Sequence, residues 1–110
     1  MGVTKTQHFT PQQNQMAALA KALAHPARIA IIQHLLQTKN CICNDLVDVL
    51  PLAQATISQH LKELKVSGLI QGEIEGTKVC YCINPVAWTE ISTQWAALFA
   101  SYITPVNNCC

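Results

Sequence analysis

Residues 41–68, CICNDLVDVLPLAQATISQHLKELKVSG, decide how the rest of the chain is read. Ile42, Leu46, Val49 and Leu50 recur at helical spacing and predict a helix from about Cys41 to Leu50, ended by Pro51. A second helix is expected from about Ala53. It buries Ile57, Leu61 and Leu64 and stops at Ser67-Gly68, where glycine suits a left-handed cap. The first of these short helices opens with Cys41 and Cys43. The second carries compact hydrogen-bonding side chains, Gln54, Thr56, Ser58, Gln59 and His60, followed by Lys62 and Lys65. A pair of thiols thus precedes a helix of the composition that contacts nucleic-acid bases.

Upstream, residues 1–9 are polar and expected to fray. Thr10 then caps a helix, Pro11 fits its first position, Gln13 closes a capping box, and Met16, Leu19, Ala20 and Leu23 follow at helical spacing. So narrow a face suits packing on a neighbour or on a second subunit. His25-Pro26 restarts the pattern. Ile29, Ile32 and Leu36 mark one face of the next helix, and Ile31 and Leu35 widen it, which predicts a central, buried element. Downstream, Leu69–Glu73 and Lys78–Ile83 are β-prone runs around Glu75-Gly76-Thr77 and read as a hairpin. Asn84-Pro85 opens a last helix, 85–103, whose stripe of Trp88, Ile91, Trp95, Leu98, Phe99, Tyr102 and Ile103 forms a coiled-coil-like seam. That much aromatic surface on a terminal helix predicts a homodimer interface, followed by a flexible tail over 104–110. Four helices, a hairpin and a helix make a winged helix-turn-helix: one mainly α domain over 1–110 with a β-hairpin wing.

Composition bounds the chemistry. With 110 residues, half of them apolar and 12% charged, the chain is long enough for a core and too apolar for disorder. A net charge of +1 is weak for a nucleic-acid binder, where a clearly basic face is the usual signature. No run approaches the roughly 18 apolar residues of a membrane span, and no signal-peptide core opens the chain. Met1-Gly2 through Thr6 fits the myristoylation spacing, a pattern short enough to recur by chance. A cytoplasmic protein with reduced thiols is expected, and no membrane partner. Six cysteines fall in three close pairs, Cys41/Cys43, Cys80/Cys82 and Cys109/Cys110. A disulfide scaffold belongs to small secreted chains with poor cores, so close pairing points to soft-metal ligation or thiol redox chemistry.

Three segments resemble the ArsR–SmtB family of metal- and metalloid-sensing repressors: ALAHPARIAIIQHLL, LAQATISQHLKELKVSGLI and GTKVCYCINP. The likeness covers about residues 15–100, and Thr56-Ile57-Ser58-Gln59-His60-Leu61 matches the family's reader pattern nearly position by position. It implies a homodimeric repressor that leaves its operator when an inducer binds. It also implies that Cys41-Ile42-Cys43 occupies the position of an arsenic or cadmium thiolate motif. There are departures. A CxCxxC arsenic motif would carry a cysteine where Leu46 stands. The zinc site of some members needs Asp, His and Glu on the last helix, which offers only Glu90. Residues 1–40 contain no cysteine of the kind that cadmium sensors add.

On residue types alone, the polar face of the second helix is a solvated surface. With the resemblance it is a double-stranded DNA reader: Gln54, Thr56, Ser58, Gln59 and His60 address base edges, and Lys62, Lys65 and, from the wing, Lys78 address phosphates. Two residues apart on a helix point about 200° apart, so Cys41 and Cys43 reach one ion only if that helix start unwinds. Trivalent arsenic prefers three thiolates, and the third is expected from Cys109 or Cys110. Cys80 and Cys82 share one face of a strand and are expected to pack in the wing rather than ligate. None of the histidines is expected to hold zinc. The expectation is a non-enzymatic repressor induced by As(III) or Sb(III), with cadmium or lead second and a thiol-redox or persulfide signal third. The reading from a different class is a small thiol oxidoreductase or metal carrier without a DNA role.

Overall fold

In a computed structural model the described residues are 6–38, 41–43, 50–73 and 80–104, with the backbone alone for Thr6 and Cys43. A single 3-10 turn, Thr6–His8, stands where a frayed end was expected. Helix α1 spans Pro11–Leu23. Its start is a reciprocal box: Gln13 N–H donates to Thr10 Oγ1 at 3.1 Å, and Thr10 N–H donates to Gln13 Oε1 at 2.9 Å. Such a cap contributes about 0.5–2 kcal/mol, because two amides at the helix start would otherwise face only water.

Helix α2 spans Pro26–Thr38. The imidazole of His25 caps it, accepting from Ala27 N–H at 3.0 Å. Its buried face is Ile31, Ile32 and Leu35, whereas Ile29 and Leu36 are 40% and 42% exposed. The expected stripe through Ile29, Ile32 and Leu36 is therefore rotated. A helix apolar nearly all round gives the period but not the phase of burial, which its neighbours choose.

The predicted helix start at Cys41 is corrected. Ile42–Cys43 forms a short strand, β1, paired antiparallel with a later strand. Residues 44–49, the body of that predicted helix, lie outside the described residues. Helix α3, Gln54–Val66, follows the expectation closely. Ile57, Leu61 and Leu64 are 3%, 1% and 0% exposed, and Gly68 ends the helix at φ 89° with its N–H on the Lys65 carbonyl at 3.0 Å.

Strands β2 (Ile70–Glu73) and β3 (Cys80–Ile83) pair antiparallel, with Ile70 opposite Ile83 and Glu73 opposite Cys80. Their connecting turn lies outside the described residues. The sheet has three strands in the order β1-β3-β2, so the hairpin gains a strand where the sequence pattern predicts a helix. Helix α4, Pro85–Ala100, is capped by the Asn84 side chain, which accepts from Ala87 N–H at 3.3 Å. It ends three residues before the expected Ile103. Among the described residues no helix is long and apolar enough to cross a membrane.

One core joins these elements. Leu19, Ile31, Ile32, Leu35, Ile42, Ile57, Leu61, Leu64, Leu69, Ile70 and Tyr81 form it, with Trp88, Ile91 and Trp95 packed partly against it. Helices against a small antiparallel sheet, with the hairpin directly after α3, make the winged helix-turn-helix arrangement. His60 belongs to the interior too, being 8% exposed. Its Nδ1 accepts from Arg28 Nε at 3.1 Å, and its ring lies 4.4 Å from that of His25. Arg28 also donates to the Ala22 carbonyl at 3.0 Å, so the guanidinium ties α3 to the junction of α1 and α2. Burial first, then the charges of His25 and Arg28, hold the His60 pKa below its usual 6.5.

These contacts set two expectations for stability. Gly72 sits at φ 134°, and a Cβ there would meet the Cys80 carbonyl oxygen and, at 2.7 Å, the Tyr81 Cα. Gly72→Ala should cost about 1–3 kcal/mol by urea denaturation, more than Gly68→Ala, where nothing lies within 4 Å. Equal losses would show that strain alone acts at both. For His60, the unfolded chain binds a proton below the usual 6.5 that the folded chain refuses. Stability should thus be full above that pH and fall as pH drops beneath it. Melting temperatures compared at neutral and mildly acid pH should show this slope, and His60→Gln should flatten it.

Candidate functional site

Helix α3 divides by angle. Ile57, His60, Leu61 and Leu64 face the core, and each residue turns about 100°, so Gln59 and Lys62 occupy the middle of the opposite side. Gln54, Thr56, Gln59, Lys62 and Lys65 are exposed, and Ser58 is half-buried. Gln59 Nε2 lies 3.4 Å from Glu63 Oε1, a weak contact that leaves the amide available. The helix start has Ala53 in the cap position and no side-chain hydrogen bond there, so its first-turn amides are uncapped by any side chain. Of the side chains expected to read bases, His60 alone turns inward, where its ring nitrogen is committed to Arg28. Residue type misassigns it where spacing does not: positions 57, 60, 61 and 64 are one stripe. Arg28, which holds His60 inward, is a side chain that sequence reasoning misses, because nothing in the local sequence marks its partner 32 residues away. Lys78 lies outside the described residues.

The cysteines converge on the sheet. Ile42 stands opposite Tyr81 and Cys43 opposite Cys80. Continued by one residue, that register sets Cys41 beside Cys82. Both are free thiols, Cys41 exposed and Cys82 half-buried. The hydrogen bond with the Cys82 sulfur is the main cause holding the Cys41 thiol above its ordinary pKa. Gln71, opposite Cys82 on β2, directs its amide Nε2 to Cys82 Sγ at 4.0 Å. A shallow cleft lined by Leu35, Leu36, Cys41, Gln71, Cys82, Ile83 and Pro85 opens over the pair.

Two expectations change. Residues two apart on an extended strand share a face, so the helical argument that Cys41 and Cys43 diverge does not apply to this backbone. Cys80 and Cys82 are more than packing: Cys82 contacts Cys41, and Cys80 is disulfide-bonded, against the expectation of reduced thiols. Cys109 and Cys110 lie outside the described residues. Among the described residues no group of three or more histidine, cysteine, aspartate or glutamate side chains is arranged to hold a metal ion.

The apolar seam of α4 divides in two. Trp88, Ile91 and Trp95 are half-buried and, with Leu19, Ala20, Leu23, Leu69 and Ser92, line an apolar cleft of about 300 Å³ against α1 and the start of the sheet. Leu98, Phe99, Tyr102 and Ile103 are 50%, 71%, 73% and 84% exposed.

The segment holding α2, α3 and the start of β2 is also what known proteins share. The family described as "Bacterial regulatory protein, arsR family" matches residues 25–71. The HTH-type transcriptional repressor SmtB of Mycobacterium tuberculosis is 46% identical over 63 residues, 57% of this chain and 46% of that protein. The match thus spans about half the length of that relative. The arsenical resistance operon repressor of Bacillus subtilis is 40% identical over 65 residues, 58% of this chain and 61% of its own. Transcriptional repressor PagR of Bacillus anthracis is 32% identical over 68 residues, 62% of this chain and 68% of that protein. Among solved structures, HlyU from Vibrio cholerae N16961 superposes with a TM-score of 0.63 at 28% identity, covering 86% of this chain and 98% of that one. These curated relatives are named as repressors of transcription, not as enzymes. By its helix-turn-helix segment, its wing and these relatives, the chain belongs to the arsR (ArsR–SmtB) family of bacterial helix-turn-helix regulators.

Proposed function

We propose that the protein is a homodimeric transcriptional repressor whose α3 reads double-stranded operator DNA, and that a thiophilic inducer acting at thiolates including Cys41 and Cys43 ends that binding. The observation that carries the DNA role is the outward row of Gln54, Thr56, Gln59, Lys62 and Lys65, backed by a fully buried inner stripe, within the segment shared with the family. Gln59 offers both a donor and an acceptor for a base edge, and a lysine ammonium suits a phosphate as a point charge. Uncapped amides at a helix start favour an anion as well.

As(III) or Sb(III) is the inducer of first choice, cadmium or lead the alternative at the same sulfurs. The name of the Bacillus subtilis relative, an arsenical resistance repressor, supports an arsenical. A redox signal is a second reading, and the disulfide at Cys80 is the observation that favours it. Dimerisation draws its support from the four apolar side chains left exposed at the end of α4 and just past it, beside the open cleft of Trp88 and Trp95.

Two experiments test this reading. A duplex selected from a randomised pool should bind with a shallow salt slope, because Glu63 lies among the lysines and the net charge is only +1. Gln59→Ala should cost about 1–3 kcal/mol of affinity, by fluorescence anisotropy, and relax preference at one base. Lys62→Ala should weaken all sequences alike and lower the slope by about one. A Gln59→Ala variant that binds every sequence as the wild type does would remove α3 as the reader. Separately, Phe99→Glu with Tyr102→Glu should sediment as a folded monomer and lose most operator affinity. A dimer of wild-type affinity would place the interface elsewhere.

A further inference from the structure

The outer face of the sheet carries sulfur where its inner face carries core. Ile42 and Tyr81 point inward, 5% and 1% exposed, so their neighbours Cys41 and Cys82 fall to the other face. There Cys41 meets Cys82, and two residues along each strand Cys43 holds the register position opposite Cys80. We propose that Cys41 and Cys82 form a cross-strand dithiol site for a thiophilic Lewis acid that takes two thiolates side by side, such as a trivalent arsenical. Cys82, not a tail cysteine, then partners Cys41. This rests on the reading above and sharpens it: of the two thiolates named there it keeps Cys41 and gives it Cys82, in place of Cys43, as partner.

Geometry favours the pairing. Two sulfurs each about 2.3 Å from a shared ion, at a tetrahedral angle, stand about 3.8 Å apart, close to the separation of two thiols in hydrogen-bonding contact. Opposed residues of an antiparallel pair have Cα atoms about 4.5–5.5 Å apart, and sulfur bridges between side chains form readily within that range. Strand pairing already holds Cys82 in place, so no further chain has to be ordered when the ligand arrives. The cleft above the pair has apolar walls from Leu35, Leu36, Ile83 and Pro85, with the Gln71 amide as its polar edge. Among the described residues no lysine or arginine lines it to offer a competing ion pair.

The binding step is a condensation without electron transfer. An organoarsenic(III) oxide loses its As–O bond and gains two As–S bonds, and the two thiol protons leave with the oxygen as water. The product ties β1, which leads into the segment before α3, to β3, which pairs with the β2 strand that follows α3. A ligand at this pair therefore clamps both ends of the reader's surroundings.

The test uses the full chain without added reductant, so that the disulfide at Cys80 stays closed and Cys41 and Cys82 stay free, with phenylarsine oxide as the probe. Cys109→Ser with Cys110→Ser serves as the background, removing a competing adjacent dithiol. One equivalent should bind, and peptide mapping of the adduct should join the peptide of Cys41 to that of Cys82 through arsenic. Adding Cys82→Ser should weaken binding at least tenfold. An adduct joining Cys41 to Cys43, or undiminished binding by the Cys82→Ser variant, would overturn the proposal. Mapping on the wild-type chain, where the tail also competes, asks the same question without substitution: a Cys41–Cys82 adduct supports the site, and arsenic confined to Cys109 and Cys110 sinks it. Anisotropy on operator DNA without arsenical reports the repressor reading alone. Failure there, with the Cys41–Cys82 adduct intact, discards DNA repression and leaves the dithiol site standing.

Discussion

Antiparallel pairing of Ile42–Cys43 with Cys80–Tyr81 is the constraint from which the rest of the molecule takes its arrangement. It buries Ile42 against the core beside Tyr81, so the chain is pinned at Ile42–Cys43, between α2 and α3. It fixes one end of the connection into α3. By the alternation of a strand, burying Ile42 and Tyr81 also sends the flanking cysteines Cys41 and Cys82 to the outer face. A single pair of rungs thus positions the wing, the approach to α3 and the thiols together. β3 is the central strand, and loss of β1 would leave its outer edge unpaired and exposed to water or to another chain.

A similar constraint governs α3. The helix needs one face to bury, and Ile57, Leu61 and Leu64 supply it with about 1.5–3 kcal/mol of transfer energy each. Everything on the other side is thereby held outward at fixed spacing, which is what a groove reader requires. His60 lies on the boundary between these roles. Its burial costs the charged imidazolium, and the Arg28 guanidinium meets the neutral ring's acceptor nitrogen. The contact orients α3 against the turn between α1 and α2, so His60 fixes how the helix presents its outer face without belonging to that face.

What is legible in the sequence is what is local. The Thr10–Gln13 box, Asn84-Pro85 and Gly68 each act within four residues, and the structure places all three as expected. The period of α3 is legible because its inner stripe is apolar and its outer one is not. The phase of α2 is not, because Ile29, Ile31, Ile32, Leu35 and Leu36 are equally apolar and only tertiary packing decides among them. β1 is invisible for a related reason. Cys-Ile-Cys suits a strand as well as a helix start, and the partner that decides lies almost 40 residues on. The dithiol stays hidden with it. On a helix Cys41 and Cys43 diverge and need a third ligand from afar, whereas on a strand Cys41 finds a neighbour in Cys82. His60 is the one case where the spacing is present and residue type points the other way.

The sheet also limits what its sulfurs can hold. Across the strands, opposed positions are about 4.5–5.5 Å apart, while along a strand positions two residues apart are separated by about 6.4–6.8 Å. Structural zinc sites commonly take their cysteines from tight turns, where the backbone folds around the metal. On this sheet the short direction runs across the strands, and linkage in that direction suits a dithiol ligand or a disulfide. The face carries both sulfur states, free thiols at Cys41 and Cys82 and a disulfide at Cys80. Linkage of two sulfurs across the strands is accordingly what this backbone suits, and that preference is the physical basis of the dithiol site proposed for Cys41 and Cys82.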